Sequence, residues 1–543
     1  MSNHTDSLVL KNKIRFVTAT SLFDGHDASI HIMRRILQQE GAEVIHLGHN
    51  RSVNDVVETA IQEDAHGIAV SSYQGGHIEY FTYMIELLKV KGASHIKVFA
   101  GGGGVIVAEE IKLLESRGVC KIFSPEDGQK MGLVGMIHYM LSECDAINYE
   151  YLKEIPTNLT PNQSSLISRI ITTIEEENNA EALSAKDELK KSITNVIKKM
   201  PTKPFVLGFT GTGGAGKSSL VDEIILRFLE TYPKKTIAVL SVDPTRRKTG
   251  GALLGDRIRM NSASNPRVYM RSMATRRANL ATSVYVKNSI EALQASGFDL
   301  VILETAGIGQ SDSEVTELTD VSIYVMTPEY GAPTQLEKID MLDYADIISI
   351  NKFDKSGALD ALREVRKTYQ RNQKLFEKSP DTMPVFGTCA HRFNDLGTNT
   401  FFNRLFEIVK EKTKNQTWQF NKLPEGEPNT TNLIPLNRTR YLSQIATTVN
   451  NYRNKTYQDA ELAHNAEGLH CALKTIDESV PFIGSLYNQD KLTEANVEKS
   501  ILTLRQRYNS IIKELSEESI HIIKNYDSLM DIYQKDVVTY KVR

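Results

Sequence analysis

Between residue 14 and about residue 145 the chain alternates short apolar runs, rich in β-branched and aromatic residues, with longer stretches of helical apolar spacing. The runs are KIRFVTAT, AEVIHLG, GIAVSS, IKVFAGGG and VCKIFS. Strands alternating with helices predict a parallel sheet covered on both faces. From 146 to 200 the sequence turns polar, rich in Asn, Glu, Lys and Ser, which predicts a linker with helical pieces. PFVLGFTG reopens the strand–helix alternation, which continues to about 415. After the turn-rich LPEGEPNTTN the pattern is amphipathic and helical, with few strand signals. The expected fold class is α/β: two doubly wound parallel-sheet domains and a helical C-terminal segment. The expected boundaries are 1–145, 146–200, 201–415 and 416–543.

Composition narrows the function classes. A chain of 543 residues is too long for one core. A net charge of -3 argues against nucleic acid or an acidic membrane as the main partner. No apolar run approaches the roughly 18 residues of a membrane span, and the first twenty residues lack a secretory pattern. Cys120, Cys144, Cys389 and Cys471 are scattered without a C-x-x-C pair. Reduced cysteines and a cytoplasmic protein are expected.

The stretch GFTGTGGAGKSSL, residues 208 to 220, carries two overlapping phosphate-loop patterns. Gly211, Gly213 and Gly216 fit the dinucleotide fingerprint, while Gly211 through Gly216 with Lys217 and Ser218 fit a P-loop. Asp243, at the end of the next strand, leaves the first pattern open. Lys217 and Ser218 favour the second, since a lysine meets β/γ-phosphates and a hydroxyl binds Mg²⁺, and a dinucleotide needs neither. The P-loop reading takes Gly211, Gly213, Gly214, Ala215, Gly216, Lys217, Ser218 and Ser219 as nucleotide contacts, with Lys217 the catalytic candidate. FDLVILETAGIGQ ends a buried strand at Glu304-Thr305, where a carboxylate can hold Mg²⁺ and the Gly307 amide can meet a γ-phosphate. DIISINKFD ends another at Asn351, Lys352 and Asp354. Asp354 there would accept from guanine N1–H and the exocyclic amine, a donor pair that adenine lacks. Three motifs in order, each at a strand end, predict a GTP site. Ser218, Asp243, Asp256, Glu304 and Thr305 are the Mg²⁺ candidates, and Arg259, Arg276 and Arg277 are candidates for phosphate charge.

ILETAGIGQSDSEV, DPTRRKTGGALLGDRIRM and NKFD together resemble the G-protein chaperones of cobalamin-dependent acyl-CoA mutases, a metal-chaperone branch of the P-loop GTPases. In that branch Ser218, Asp243, Asp256 and Glu304 correspond to Mg²⁺-site positions. Gln310 lies three residues past Gly307, so it is not assigned as the water-positioning residue. FDGHDASIHIM resembles the D-x-H-x-x-G signature of flavodoxin-like cobalamin-binding domains, with Ser29 at the glycine position. The resemblance makes His26 the lower cobalt ligand, and Asp24 suits the role of fixing its tautomer. Ser71 and Tyr73 match the S-x-L region that contacts the nucleotide tail. Gly102 and Gly103, in the run Gly101 to Gly104, stand where missing side chains let the tail enter.

A cobalamin domain followed by this GTPase resembles the fused isobutyryl-CoA mutases. That resemblance implies adenosylcobalamin, Mg²⁺ and GTP as cofactors and substrate, a homodimer, and acyl-CoA reached through a mutase barrel without counterpart in these residues. The chain would then be a fragment of a longer protein or a half that pairs with a separate barrel chain. Two other classes fit the same motifs: a non-enzymatic cobalamin carrier or sensor timed by GTP, and a GTPase chaperone for another metallocentre.

Overall fold

The computed structural model describes residues 10–147, 151–176, 180–244, 251–254, 256–275, 284–305, 314–413, 418–428, 441–476 and 479–537. It separates into two compact units, Met1–Thr430 and Thr431–Arg543.

The first unit opens with β1 (Arg15–Thr20), α1 (Ala28–Gln39), β2 (Glu43–His46), α2 (Val53–Gln62) and β3 (Gly67–Ser71). It continues through α3 (His77–Val90), β4 (Lys97–Gly101), α4 (Ala108–Arg117), β5 (Lys121–Phe123) and α5 (Pro125–Asp145). The strands pair in parallel in the order β5-β4-β3-β1-β2, and β1 to β3 are buried along their whole length. Burial on both faces is why these strands read as continuous apolar runs rather than alternating ones. The order changes direction between β1 and β3, and the crevice outside their carboxyl ends is where open α/β sheets take ligands.

Two helices follow, α6 (Ser164–Glu175) and α7 (Ala180–Lys199). The sequence reads this stretch as a linker, but α6 buries Ile167, Ile170, Ile171 and Ile174, four apolar residues at helical spacing. Ile167 and Ile171 pack into the core beneath the second sheet.

The second α/β layer begins with β6 (Phe205–Gly211), α8 (Lys217–Thr231) and β7 (Ile237–Pro244), then β8 (Ala252–Leu254), β9 (Val268–Thr275), α9 (Val284–Ala295) and β10 (Leu300–Thr305). After α10 (Glu314–Leu318) come β11 (Val321–Met326), the short α11 (Pro333–Leu336) and α12 (Met341–Tyr344), then β12 (Ile347–Asn351), α13 (Ala358–Asn372), β13 (Val385–Thr388) and α14 (Leu396–Thr413). Its sheet is parallel, in the order β13-β12-β11-β6-β10-β7-β9.

β8 does not join that sheet. It pairs in parallel with β2, Glu43 opposite Ala252 and Ile45 opposite Leu254, and so makes the sixth strand of the first sheet. The exchange is mutual. The outer edge of β9 is met by side chains of the first layer: Gln62 accepts from Met270 N and donates to Val268 O, and Glu63 accepts from Ser272 N. Each layer thereby covers an edge the other would leave open.

The second unit, described by itself, is helical. α15 (Tyr441–Ile476) and α17 (Lys499–Glu514) pack around Ala466, Leu473, Tyr508, Ile511 and Ile512, with α16 (Gln489–Leu492), α18 (Glu517–Lys524) and α19 (Tyr526–Tyr533) alongside in sequence. Among the described residues no helix is long and apolar enough to cross a membrane.

Candidate functional site

Two sites form at strand carboxyl ends. In the first sheet, the loop after β1 carries Asp24 and His26 and the turn after β3 carries Tyr73. Asp24 is buried and accepts three hydrogen bonds: from Tyr73 N at 2.6 Å, from His26 N at 2.9 Å and from His26 Nδ1 at 2.8 Å. Burial works against its ionisation, yet the two amides and the imidazole outweigh burial and hold the carboxyl below its usual range. A carboxylate accepting at Nδ1 makes that nitrogen the protonated one and leaves Nε2 with its lone pair. The His26 side chain is 77% exposed. The ring is thus fixed at one nitrogen and presented at the other, which is the arrangement a metal-binding imidazole needs. Tyr73 tilts against it with ring centroids 5.7 Å apart.

Beside this pair a cavity of about 300 Å³ runs between β3, β4, α1 and α5. Its walls are mostly apolar, including Met33, Phe99, Phe123 and Met136. Two hydroxyls on it, Ser71 Oγ and Ser29 Oγ, are buried with no hydrogen-bond partner among the described residues. A buried hydroxyl left unpaired costs free energy unless a ligand satisfies it. Glycine is required on the opposite wall. A Cβ on Gly102 would lie 2.0 Å from Ser72 O, and Gly103 has φ +58°. An apolar slot with two waiting hydroxyls and an imidazole beside it fits a flat aromatic tail whose own nitrogen base has been displaced from a metal. Cobalamin has that form. The wall formed by the end of β5 and by α5, with Phe123, Ser124, Met136 and Met140, had no motif in the sequence to reveal it.

In the second sheet β6 ends in the glycine loop. Gly211 has φ +145° and a Cβ there would meet Val325 O at 1.9 Å, while Gly214 and Gly216 have φ +74° and +86°. Gly213 is exposed, Ala215 is buried, and Ser219 follows on α8. Lys217 Nζ folds back to donate to Gly211 O at 2.9 Å and Thr212 O at 3.2 Å. Ser218 Oγ donates to Glu304 Oε1 at 2.7 Å, bringing the loop to the tip of β10. Thr305 is buried one residue on, its hydroxyl near Phe209 O. Asp243 lies at the end of the neighbouring β7, and Asp256 opens a short 3₁₀ helix, Asp256–Arg259, after β8. Arg259 on that helix is exposed. Arg276, Arg277, Gly307 and Gln310 fall outside the described residues.

The third motif closes on the loop. Asn351 Nδ2 donates to Ala215 O at 2.8 Å, and Lys352, with a left-handed φ of +57°, donates through Nζ to Gly214 O at 2.8 Å. Asp354 lies 3.5 Å from His391 Nε2 and 3.4 Å from Arg392 Nη2. A cavity of about 310 Å³ separates Asp354 from Gly216 and Ser219, walled by Ala390 and His391. Ala390 N donates to Asn351 Oδ1 at 3.1 Å. The loop from Cys389 to Arg392 escaped the sequence reading. Its signal is only the small residue after a buried strand, and β13 brings it beside Asp354.

Comparison with known proteins matches both α/β domains. Residues 14–129 match the B12 binding domain family model, and residues 167–418 match the model described as methylmalonyl-CoA mutase-associated GTPase MeaB. A Pyrococcus horikoshii protein described as a putative GTPase is 31% identical over 264 residues, covering 48% of this chain and 78% of that protein. The chain therefore joins a B12-binding domain to a P-loop GTPase domain of the MeaB class. The fused isobutyryl-CoA mutase of Geobacillus kaustophilus is 48% identical over 98% of this chain and 48% of its own length. That of Cupriavidus metallidurans is 50% identical over 85% of this chain and 42% of its own. Over the portion it spans, the chain is similar to the fused isobutyryl-CoA mutases across both domains. It spans about half the length of these curated relatives.

Proposed function

We propose that this chain supplies the lower cobalt ligand and the gating GTPase of an adenosylcobalamin-dependent acyl-CoA mutase that interconverts isobutyryl-CoA and n-butyryl-CoA. The observation that carries the reading is the Asp24–His26 pair beside an apolar slot with two unpartnered hydroxyls, on one compact unit with a guanine-type N-K-x-D motif. His26 would hold cobalt through Nε2, with Asp24 keeping the proton on Nδ1. Ser71, Tyr73, Gly102 and Gly103 receive the displaced tail. When bound, the cofactor supplies the radical chemistry that rearranges the acyl carbon skeleton.

On the GTPase side Gly211, Gly213, Gly214, Ala215, Gly216, Ser219 and Arg259 surround the phosphates. Asn351, Lys352 and Asp354 read the base. Lys217 releases the loop carbonyls to neutralise charge on the β–γ bridge. Ser218, Asp243, Asp256, Glu304 and Thr305 would be the oxygen donors to Mg²⁺, which would offset phosphate charge; of these, Ser218 and Glu304 are in contact. Hydrolysis then gates loading and release of the cofactor. The functional division is a cobalamin-binding domain (1–145), a connecting segment (146–200), the GTPase (201–415) and a helical segment (416–543). A cytoplasmic homodimer completes the proposal.

The test is spectroscopic. Purified chain titrated with adenosylcobalamin should give the base-off, histidine-on spectrum, and His26→Ala should convert it to a fully base-off form or abolish binding. An unchanged spectrum in that variant refutes the assignment.

A further inference from the structure

The two candidate carboxylates that bracket β8 belong to different scaffolds. Asp243 is the penultimate residue of β7, inside the GTPase sheet, whereas Asp256 lies two residues past the strand that has crossed to the cobalamin-domain sheet. The helix opened by Asp256 is then fastened to the cobalamin domain at its next residue. Arg257 is buried, donating to Gln62 Oε1 at 2.6 Å and lying 3.6 Å from Glu63. Arg15 ties the same Glu63 to Glu43 and Glu175, and Glu175 in turn binds Arg271 of β9 at 2.5 Å. A buried ion network of this kind holds one geometry well, because breaking any pair strands a charge.

One residue further, the helix touches the loop that braces the cobalt-ligand loop. Gly48, in the turn after β2, has φ +82°, and a Cβ built on it would lie 2.8 Å from Ile258 Cδ1. The Ile258 side chain therefore rests on the Gly48 backbone. Gly48 O accepts from Thr20 N at 3.0 Å, and Asn50 N donates to Thr20 Oγ1 at 3.0 Å. Thr20 Oγ1 in turn donates to Asp24 O at 3.0 Å. Asn50 Oδ1 accepts from Phe23 N at 2.7 Å. The first two bonds join the turn to the end of β1, and the last two reach the loop that carries Asp24 and His26. Two turns, each closed by named bonds, separate the Asp256 helix from the lower-ligand loop.

We propose that Ile258 is a positioning residue that couples the two sites: its contact with Gly48 transmits the placement of the Asp256 helix, and so the state of the nucleotide, to the His26 loop. The inference rests on the functional reading above and adds its route. By thermodynamic linkage such a coupling is reciprocal. Whatever factor nucleotide imposes on cobalamin affinity, cobalamin imposes on nucleotide affinity.

The experiment measures the dissociation constant of cobalamin for the full chain, alone and with a non-hydrolysable GTP analogue plus Mg²⁺. The same titrations are run on Ile258→Ala and Ile258→Leu. The parent should show a ratio of the two constants of about 5-fold or more, the usual scale of site-to-site coupling. Ile258 is partly exposed and outside both binding sites, so Ile258→Ala should bind each ligand alone as the parent does. Its ratio should collapse towards one, and Ile258→Leu, which keeps the packing volume, should restore most of it. A parental ratio preserved in Ile258→Ala overturns the route while leaving the functional reading intact. So does a parent that binds both ligands without any ratio. A parent that fails to bind cobalamin or GTP overturns the functional reading itself, and the route falls with it.

Discussion

Asp24→Asn and His26→Ala should separate folding from cofactor binding. Asp24 receives three N–H donors on two oxygens, from a fully buried side chain. Asparagine keeps the shape but offers one oxygen and one NH₂. If its oxygen stays with His26, the NH₂ faces the amide of Tyr73, a donor against a donor, and the Tyr73 N–H loses a 2.6 Å partner. Leaving such a group unsatisfied costs about 1–3 kcal/mol. If the amide flips, Tyr73 is satisfied and both His26 donors lose their acceptor. The loop therefore loses stability in either orientation, and the imidazole loses the charge that fixes its tautomer. Changes of this kind behind a metal ligand weaken binding about 10- to 100-fold. His26→Ala removes an exposed ring, which should alter stability by less than about 0.5 kcal/mol. It should nevertheless abolish histidine ligation. The assay pairs chemical denaturation with a visible-absorbance cobalamin titration on parent and both variants. An Asp24→Asn chain as stable and as tight-binding as the parent would refute the claim that the loop is built on this carboxylate. A His26→Ala chain that is strongly destabilised would refute the claim that the ring serves only the ligand.

Asp354→Asn should lower GTP affinity tenfold to a few hundredfold, about 1–3 kcal/mol, because an acceptor facing guanine donors becomes a donor; competition between GTP and ATP on parent and variant checks it. Lys217→Ala should abolish turnover, and omission of Mg²⁺ should do the same to the parent, while cobalamin titration of the variant is unchanged. Acid should destabilise the first layer. Burial, reinforced by nearby cations, lowers His46 and His66 from 6.5 to about 4. The unfolded chain therefore binds more protons between those values, and stability falls as pH drops from about 6.5 towards 4, by up to about 3 kcal/mol per group. Urea unfolding at pH 7 and pH 5 measures the slope, which His66→Gln should flatten.

Legibility followed the range of the contacts. The phosphate loop, the β10 tip and the N-K-x-D turn each carry their residue pattern within a few positions, so their spacing announces them even though their contacts with one another are long-range. The cobalamin loop is similar, since Asp24 binds a residue two positions on. The crossing of β8 is not legible in this way. Ala252, Leu253 and Leu254 say only that a short buried strand exists, and the choice of sheet is settled by which edge lies open nearby. Arg15, Glu63, Glu175 and Arg271 read as ordinary charges because nothing local marks them as buried together. The isoleucines of α6 were readable by their spacing, but the polar residues around them masked the amphipathic face.

The shared edges set where this protein can be cut. A fragment ending at the first linker would leave β2, with the sequence EVIH, as a bare sheet border, and one starting at β6 would leave β9 bare with its unpaired amides. Exposed strand borders recruit other chains. Soluble expression of either half should therefore call for a substitute cover, and a divided protein would be expected to behave as two interdependent pieces, most soluble when produced together.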